Sequence, residues 1–269
     1  MAKKGIKAAI IDLYNNEANE GIRCIKDILT GAGLKYDIFD TRYKDEIPGM
    51  DYDIFISSGG PGDPFDGEGK PWETKYFNLL DEINNANAKS NDDKKFVFFI
   101  CHSFQLMARY YGFGQVLRRP VKSFGVIPFK LTDAGKEDRL FKGMRDPIYA
   151  ADIRTYHVIH PDSKILSDIG AKILSTEFEN ELEENAVMSV RISEEIAGTQ
   201  FHPEADPASM IHHMKQDERK KQVVERYGEA KYFEMLDMLE QPDKIKLTRK
   251  TVLPNFLNDA KNKLSLTHA

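Results

Sequence analysis

Residues Phe96–Ile100 read Phe-Val-Phe-Phe-Ile, an unbroken apolar run with no polar alternation. A strand of this kind has no face to give to water, so it needs cover on both sides, the arrangement found where helices cross over a parallel sheet. The run stops at Cys101, and apolar positions then recur with helical spacing at Phe104, Met107, Ala108 and Tyr111, with Gly112 as a stop signal. Cys101 therefore falls at the turn between a buried strand and a helix. Upstream the same order repeats: a strand over residues 6–14, a helix over 17–29 with Ile22, Ile25 and Leu29 on one face, and short strands over 36–39 and 52–56. The last of these empties into Ser57-Ser58-Gly59-Gly60-Pro61-Gly62-Asp63-Pro64, followed by a helix over 72–88 and a polar stretch over 89–95. This βαβ order predicts an α/β fold, a doubly wound, mostly parallel sheet flanked by helices.

The second half has a different texture. Strand-like runs over 125–131, 153–159, 171–178, 186–190 and 196–201 are separated by turns, and from Pro207 onward the chain is mostly helical and charged. Residues 215–226 read as a solvated helix face and Pro254 as a break. The expected organisation is one domain over 1–215 and a C-terminal helical extension over 216–269, packed on or beside it.

Composition excludes several classes of function. Hydrophobic residues at 41% and charged residues at 30% of 269 fit a folded soluble chain and not a disordered one. Lys+Arg at 38 against Asp+Glu at 43 gives a net charge of −5, with no basic stripe to neutralise phosphates, so no nucleic acid is expected. The apolar stretch ending at Asp12 is too short for a signal segment or a bilayer span, so no membrane association and a cytoplasmic location are expected. Cys24 and Cys101 are the only cysteines, too far apart in sequence to suggest a metal motif or a disulfide framework. Adjacent His212 and His213 diverge by about 100° on a helix, so no metal is expected there. No cofactor is expected, and a homo-oligomer is compatible with the sequence.

The chemistry gathers at Cys101. A thiolate at a strand-to-helix turn gains the helix dipole and free backbone N–H groups that can hold an oxyanion. A lone cysteine is more often structural, and Cys24 reads that way, on the apolar face of the first helix. What changes the reading for Cys101 is Phe201-His202-Pro203-Glu204, which follows another strand end: His202 is placed to take a proton and Glu204 to orient the ring. Asp12, at the end of the first strand, reads as a cap for the helix that follows, and residues 63–73 as a surface loop, an acidic lid being the alternative.

Three motifs, Ser58-Gly59-Gly60-Pro61-Gly62, Ile100-Cys101-His102-Ser103-Phe104-Gln105-Leu106 and Gln200-Phe201-His202-Pro203-Glu204, occur in an order that resembles the class I, or triad-type, glutamine amidotransferases. In motif style the chain is most similar to a stand-alone amidotransferase part of GMP synthase. The resemblance implies that Cys101 is the nucleophile, His202 the base and Glu204 its partner. It implies backbone oxyanion donors at Gly60 and His102, and a glutamine pocket involving Gly59 and Gln105, with Tyr156 and His157 as candidates. Glutamine would be hydrolysed through a γ-glutamyl thioester. Because the sequence has no Walker A or Ser-Gly-Gly-x-Asp-Ser loop, ammonia transfer would need a separate synthetase. Two alternatives stand beside this reading: a stand-alone γ-glutamyl peptidase or hydrolase, and a silent partner-binding protein. Phe99, Ser103 and Phe104 depart from the family pattern. Phe99 stands where a small residue is usual, and predicts either that neighbouring elements spread or that the turn at Cys101 is altered.

Overall fold

The computed structural model describes residues 5–89, 93–178 and 185–267. The N-terminal residues 1–4 and part of the polar stretch 89–95 lie outside them. The first half runs β1 (Lys7–Asp12), α1 (Gly21–Gly31), β2 (Lys35–Asp40), β3 (Ile54–Ser57), α2 (Pro71–Lys89), β4 (Phe96–Ile100) and α3 (His102–Tyr111). Strands β5 (Gln115–Leu131), β6 (Ile148–Ile159), β7 (Lys172–Glu177), β8 (Val187–Arg191) and β9 (Ile196–Thr199) follow, then α4 (Pro207–Met214), α5 (Asp217–Tyr227), α6 (Glu229–Glu240) and α7 (Ile245–Thr267).

Among the described residues the sheet has the order β2-β1-β3-β4-β9-β8-β7-β5-β6. From β2 to β9 all pairings are parallel, as the βαβ order requires, and from β9 to β6 all are antiparallel. Every residue of β4 is buried. Its alternate side chains enter two separate apolar layers, as a period of two dictates. Phe96, Phe98 and Ile100 meet Ile25 and Leu29 of α1 together with α7, while Val97 and Phe99 meet α2 and α3.

Several boundaries differ from the sequence reading. Helix α7 continues through Pro254. A proline inside a helix costs about 3 kcal/mol or more, but α7 buries Val252, Leu253, Phe256, Leu257, Ala260 and Leu264 in the sheet-facing layer. At about 1.5–3 kcal/mol for each large side chain, this packing outweighs the missing hydrogen bond. The Phe256 ring lies 5.0 Å from that of Phe98. Helix α1 starts at Gly21, where the Asn19 side chain accepts from the Ile22 N–H at 2.9 Å. Asp12 accepts from the Tyr14 N–H at 2.8 Å, so it caps its own turn and not α1. Strands β5 and β6 begin well before residues 125 and 153. The register of β5 shifts between Arg118 and Ser123, in a stretch too polar and irregular to read as a strand.

Phe99 neither spreads its neighbours nor unmakes the turn. It pairs in register with Gly198 of β9, and a Cβ on Gly198 would come within 3.0 Å of the Phe99 Cβ and 3.1 Å of Phe104 Cδ2. The absent side chain on the adjacent strand leaves room for the Phe104 ring and for close approach of the Phe99 Cβ and carbonyl. Overpacking here should cost about 1–3 kcal/mol, so Gly198→Ala is expected to lower stability in urea titrations by that amount. Phe104→Ala added to Gly198→Ala should destabilise less than the sum of the two single changes, because it removes the ring atom that a Gly198 Cβ would meet. A strictly additive pair would remove this explanation.

Candidate active site

Cys101 has φ 51° and ψ −98°, a left-side conformation uncommon for a residue with a Cβ. Four hydrogen bonds hold it there. Its N–H donates to the Thr199 carbonyl at 2.8 Å, and its own carbonyl accepts from the Gln105 N–H at 3.1 Å. The Ser103 hydroxyl accepts from the Ile100 N–H at 2.8 Å and donates to the Ser57 carbonyl at 2.7 Å, tying the turn to the end of β3. The serine that departs from the family pattern is thus a strut that glycine would not provide. The sulfur lies 3.6 Å from the Ile153 carbonyl of β6.

His202 follows β9, and its backbone N–H donates to Ala151 of β6 at 2.9 Å. Its Nδ1 is 2.8 Å from Glu204 Oε1. Burial pushes this imidazole down, but the charges of Glu204 and Cys101 and the hydrogen bonds to both outweigh it and hold His202 well above its ordinary value. Glu204 is buried, Oε2 has no partner among the described residues, and its backbone carbonyl accepts from Arg249 of α7. Glycine is required beside this pair: a Cβ on Gly59 would meet His202 Cε1 at 2.9 Å and the Tyr14 hydroxyl at 3.2 Å. A Cβ on Gly60 would collide with the Leu13 carbonyl at 2.4 Å.

Cys101 and His202 open on one cleft of about 460 Å³, which Gly60, His102, Gln105 and Tyr156 also line. Gly59 serves it from behind by leaving space. The Gln105 carboxamide donates at 3.3 Å to the Tyr156 carbonyl and to Gln200 Oε1. The Tyr156 hydroxyl donates to the Asp63 carboxylate, joining β6 to the glycine loop. Residues 63–73 are accordingly more than a free surface loop: Arg109 of α3 binds Glu73 at 2.5 Å and Glu68 at 3.0 Å, and lies 4.8 Å over the Phe65 ring.

His157 is a correction. It does not line the cleft; its Nδ1 lies 3.4 Å from Arg119 Nη1, beside the buried Arg119–Glu177 pair. Neighbours on a strand point to opposite sides, so Tyr156 and His157 do not share the pocket. Sequence reasoning missed Tyr14, a half-buried residue of the cleft lining whose hydroxyl sits beside Gly59 and near the Cys101 and Glu204 charges; desolvation, then those charges, push it well above the ordinary tyrosine value. Its place just past the end of β1, at the carboxyl edge of the sheet, was the available signal. Cys24 is buried on α1 as read, and it lines a small void of about 50 Å³ behind His202 and Glu204. Among the described residues no group of three or more His, Cys, Asp or Glu is placed to hold a metal, and no helix is long and apolar enough to cross a membrane.

Residues 19–221 match the family described as glutamine amidotransferase class-I. The chain belongs to this family. No curated protein matches it in sequence. Among solved structures, a glutamine amidotransferase from Thermotoga maritima is 17% identical with a TM-score of 0.69, over 96% of this chain and 98% of that one. The glutamine amidotransferase from Methylobacillus flagellatus is also 17% identical, with a TM-score of 0.64, over 98% of this chain and 96% of that one. The glutaminase domain of Trypanosoma brucei CTPS, solved with bound acivicin, is 13% identical with a TM-score of 0.52, over 74% of this chain and 86% of that one. At these identities the likeness bears on the fold.

Two histidines of this amidotransferase are buried neutral. Burial, with Arg42 and Arg109, pushes His102 down to about 3, and burial, with Arg119 and Arg154, pushes His157 down to about 4. The unfolded chain takes up these protons below about 6.5, and the folded chain resists them. Their contribution to stability is therefore complete above that pH and declines as pH falls toward 4. Thermal melts between pH 7 and 4 should show a shallower decline for His157→Gln than for the parent; an equal slope would argue against a buried neutral His157.

Proposed function

We propose that this amidotransferase hydrolyses the side-chain amide of glutamine through a γ-glutamyl thioester on Cys101. The observation that carries the reading is the convergence of the strained Cys101 turn and the His202–Glu204 pair, 2.8 Å apart, on one cleft at the carboxyl edge of the sheet. His202 takes the thiol proton, and the retained imidazolium suits its raised value. The sulfur attacks the γ-carbonyl, backbone N–H groups of Gly60 and His102 receive the developing oxyanion, and the imidazolium protonates the departing nitrogen. Water then cleaves the thioester by the same route, releasing glutamate. Glu204 keeps the ring oriented and balances its charge. Gln105 and Tyr156 form the wall for the amino-acid end of glutamine, and Gly59 leaves space for the His202 ring. Ammonia passes to a separate synthetase.

Phe99 bears on the silent-site alternative: it is buried in β4 with the left-side conformation of Cys101 in place.

Glutaminase assays on variants test the reading. Cys101→Ala is expected to abolish turnover, His202→Ala to lower it by about 10²-fold or more, and Glu204→Gln to cost less than His202→Ala. Cys24→Ala should retain turnover. A glutamine-like chloroketone should label Cys101 alone, with glutamine protecting it, as read by mass spectrometry. Near-parental turnover in Cys101→Ala, or labelling at Cys24 instead, would remove the assignment.

A further inference from the structure

The reaction proposed above needs the Gly60 N–H in one place, yet the loop that carries it has almost no side chains to hold it. Gly59, Gly60 and Gly62 leave its peptides free to turn. On one side the buried Ser58 hydroxyl accepts from the Leu13 N–H at 2.9 Å and donates to the Gly59 carbonyl at 2.8 Å. The Gly59–Gly60 peptide is trans, so its N–H points away from that carbonyl and from Ser58. This N–H has no acceptor among the described residues, and Gly60 lines the cleft.

The other side of the loop is held from elsewhere in the chain. Arg42 lies in the short helix Thr41–Lys44 after β2 and is half-buried. One guanidinium nitrogen, Nη1, donates to the Pro61 carbonyl at 2.6 Å and to the Leu13 carbonyl at 3.1 Å, tying the residue after Gly60 to the end of β1. Two carbonyls that converge on one point repel each other unless a donor stands between them, and a charged donor is the strongest kind. The fit is close: a Cβ on Gly60 would lie 3.3 Å from Nη1, and one on Gly62 3.5 Å from Nη2. The guanidinium lies 5.6 Å from the Trp72 ring of α2 and forms no ion pair among the described residues, although the Asp66 and Glu17 charges act on it. Its field also reaches His102, the second residue assigned to the oxyanion, where burial and then the Arg42 charge push the imidazole down.

We propose that Arg42 is a positioning residue for the oxyanion site: it fixes the glycine loop against β1 so that the Gly60 N–H meets the γ-carbonyl oxygen as that oxygen becomes anionic. The proposal rests on the thioester reading of Cys101. Arg42 itself need not touch the substrate. A donor aimed in this way acts more strongly on the developing oxyanion than on the neutral amide, so its loss is read in kcat and not in glutamine binding.

The test follows glutamine hydrolysis by the full chain, by Arg42→Met, which keeps an unbranched stem without a donor, and by Arg42→Lys. Two further measurements accompany it. Alkylation of Cys101 by iodoacetamide, read by mass spectrometry, displaces iodide at a saturated carbon without forming an oxyanion and reports on the thiol and His202. Glutamine binding to Cys101→Ala, with and without Arg42→Met, is measured by calorimetry. Loss of an oxyanion donor costs about 10²–10³ in kcat, and a donor misplaced but still present costs less, so Arg42→Met is expected to lower kcat by about tenfold to hundredfold. The alkylation rate and glutamine affinity should stay within about threefold of the parent. Both hydrogen bonds come from one nitrogen, so an ammonium can replace it in part, and the kcat of Arg42→Lys should fall between those of Arg42→Met and the parent. If Arg42→Met does not fold in urea titrations, Arg42→Lys carries the comparison, with kcat lowered by about threefold or more and alkylation unchanged. A parental kcat in Arg42→Met, a lysine variant no faster than it, or alkylation or affinity falling in step with kcat overturns the positioning role and leaves the thioester reading standing. A parent chain with neither glutamine turnover nor chloroketone labelling of Cys101 overturns the thioester reading, and the role of Arg42 with it.

Discussion

The conformation of Cys101 is the constraint on which the other features converge. A residue with a side chain at φ 51° carries strain of order 1–3 kcal/mol, and it persists only where its surroundings leave no alternative. Here β4 is fixed between β3 and β9 and buried on both faces, so the strand end cannot move. Ser103 fastens the first turn of α3 to β3, and Thr199 fastens Cys101 to β9. The sulfur is presented at the edge of the sheet because every softer adjustment is blocked by packing.

The same logic extends to the rings beneath the turn. Phe99 and Phe104 fill the layer between β4 and α3, and Gly198 leaves room for the Phe104 ring and for close approach of the Phe99 backbone. A Cβ there would have to displace one or the other in a close-packed interior.

This contact also marks what the sequence could and could not reveal. The apolar run of β4, the cysteine after it and the His202–Glu204 pair are local patterns, readable because strand burial and the strand-to-helix turn are set within a few residues. The close approach of Gly198 to Phe99 and Phe104 joins positions that meet only through sheet register and packing. The passage of α7 through Pro254 depends on what that helix covers, which no local signal carries. Strand alternation separates Tyr156 from His157, but one face cannot be assigned to the pocket until β6 is seen against β5 and the glycine loop. Tyr14 needed the ends of β1 and β3 to be brought together before its hydroxyl had a neighbourhood.

The contact between Arg249 of α7 and the Glu204 carbonyl gives the order of synthesis a meaning. Strands β1, β3, β4 and β9 and all three residues of the Cys101–His202–Glu204 set are made before α7, and they are left with one apolar layer of the sheet open until that helix docks. A chain still lacking α7 therefore holds Cys101 beside an uncovered hydrophobic face.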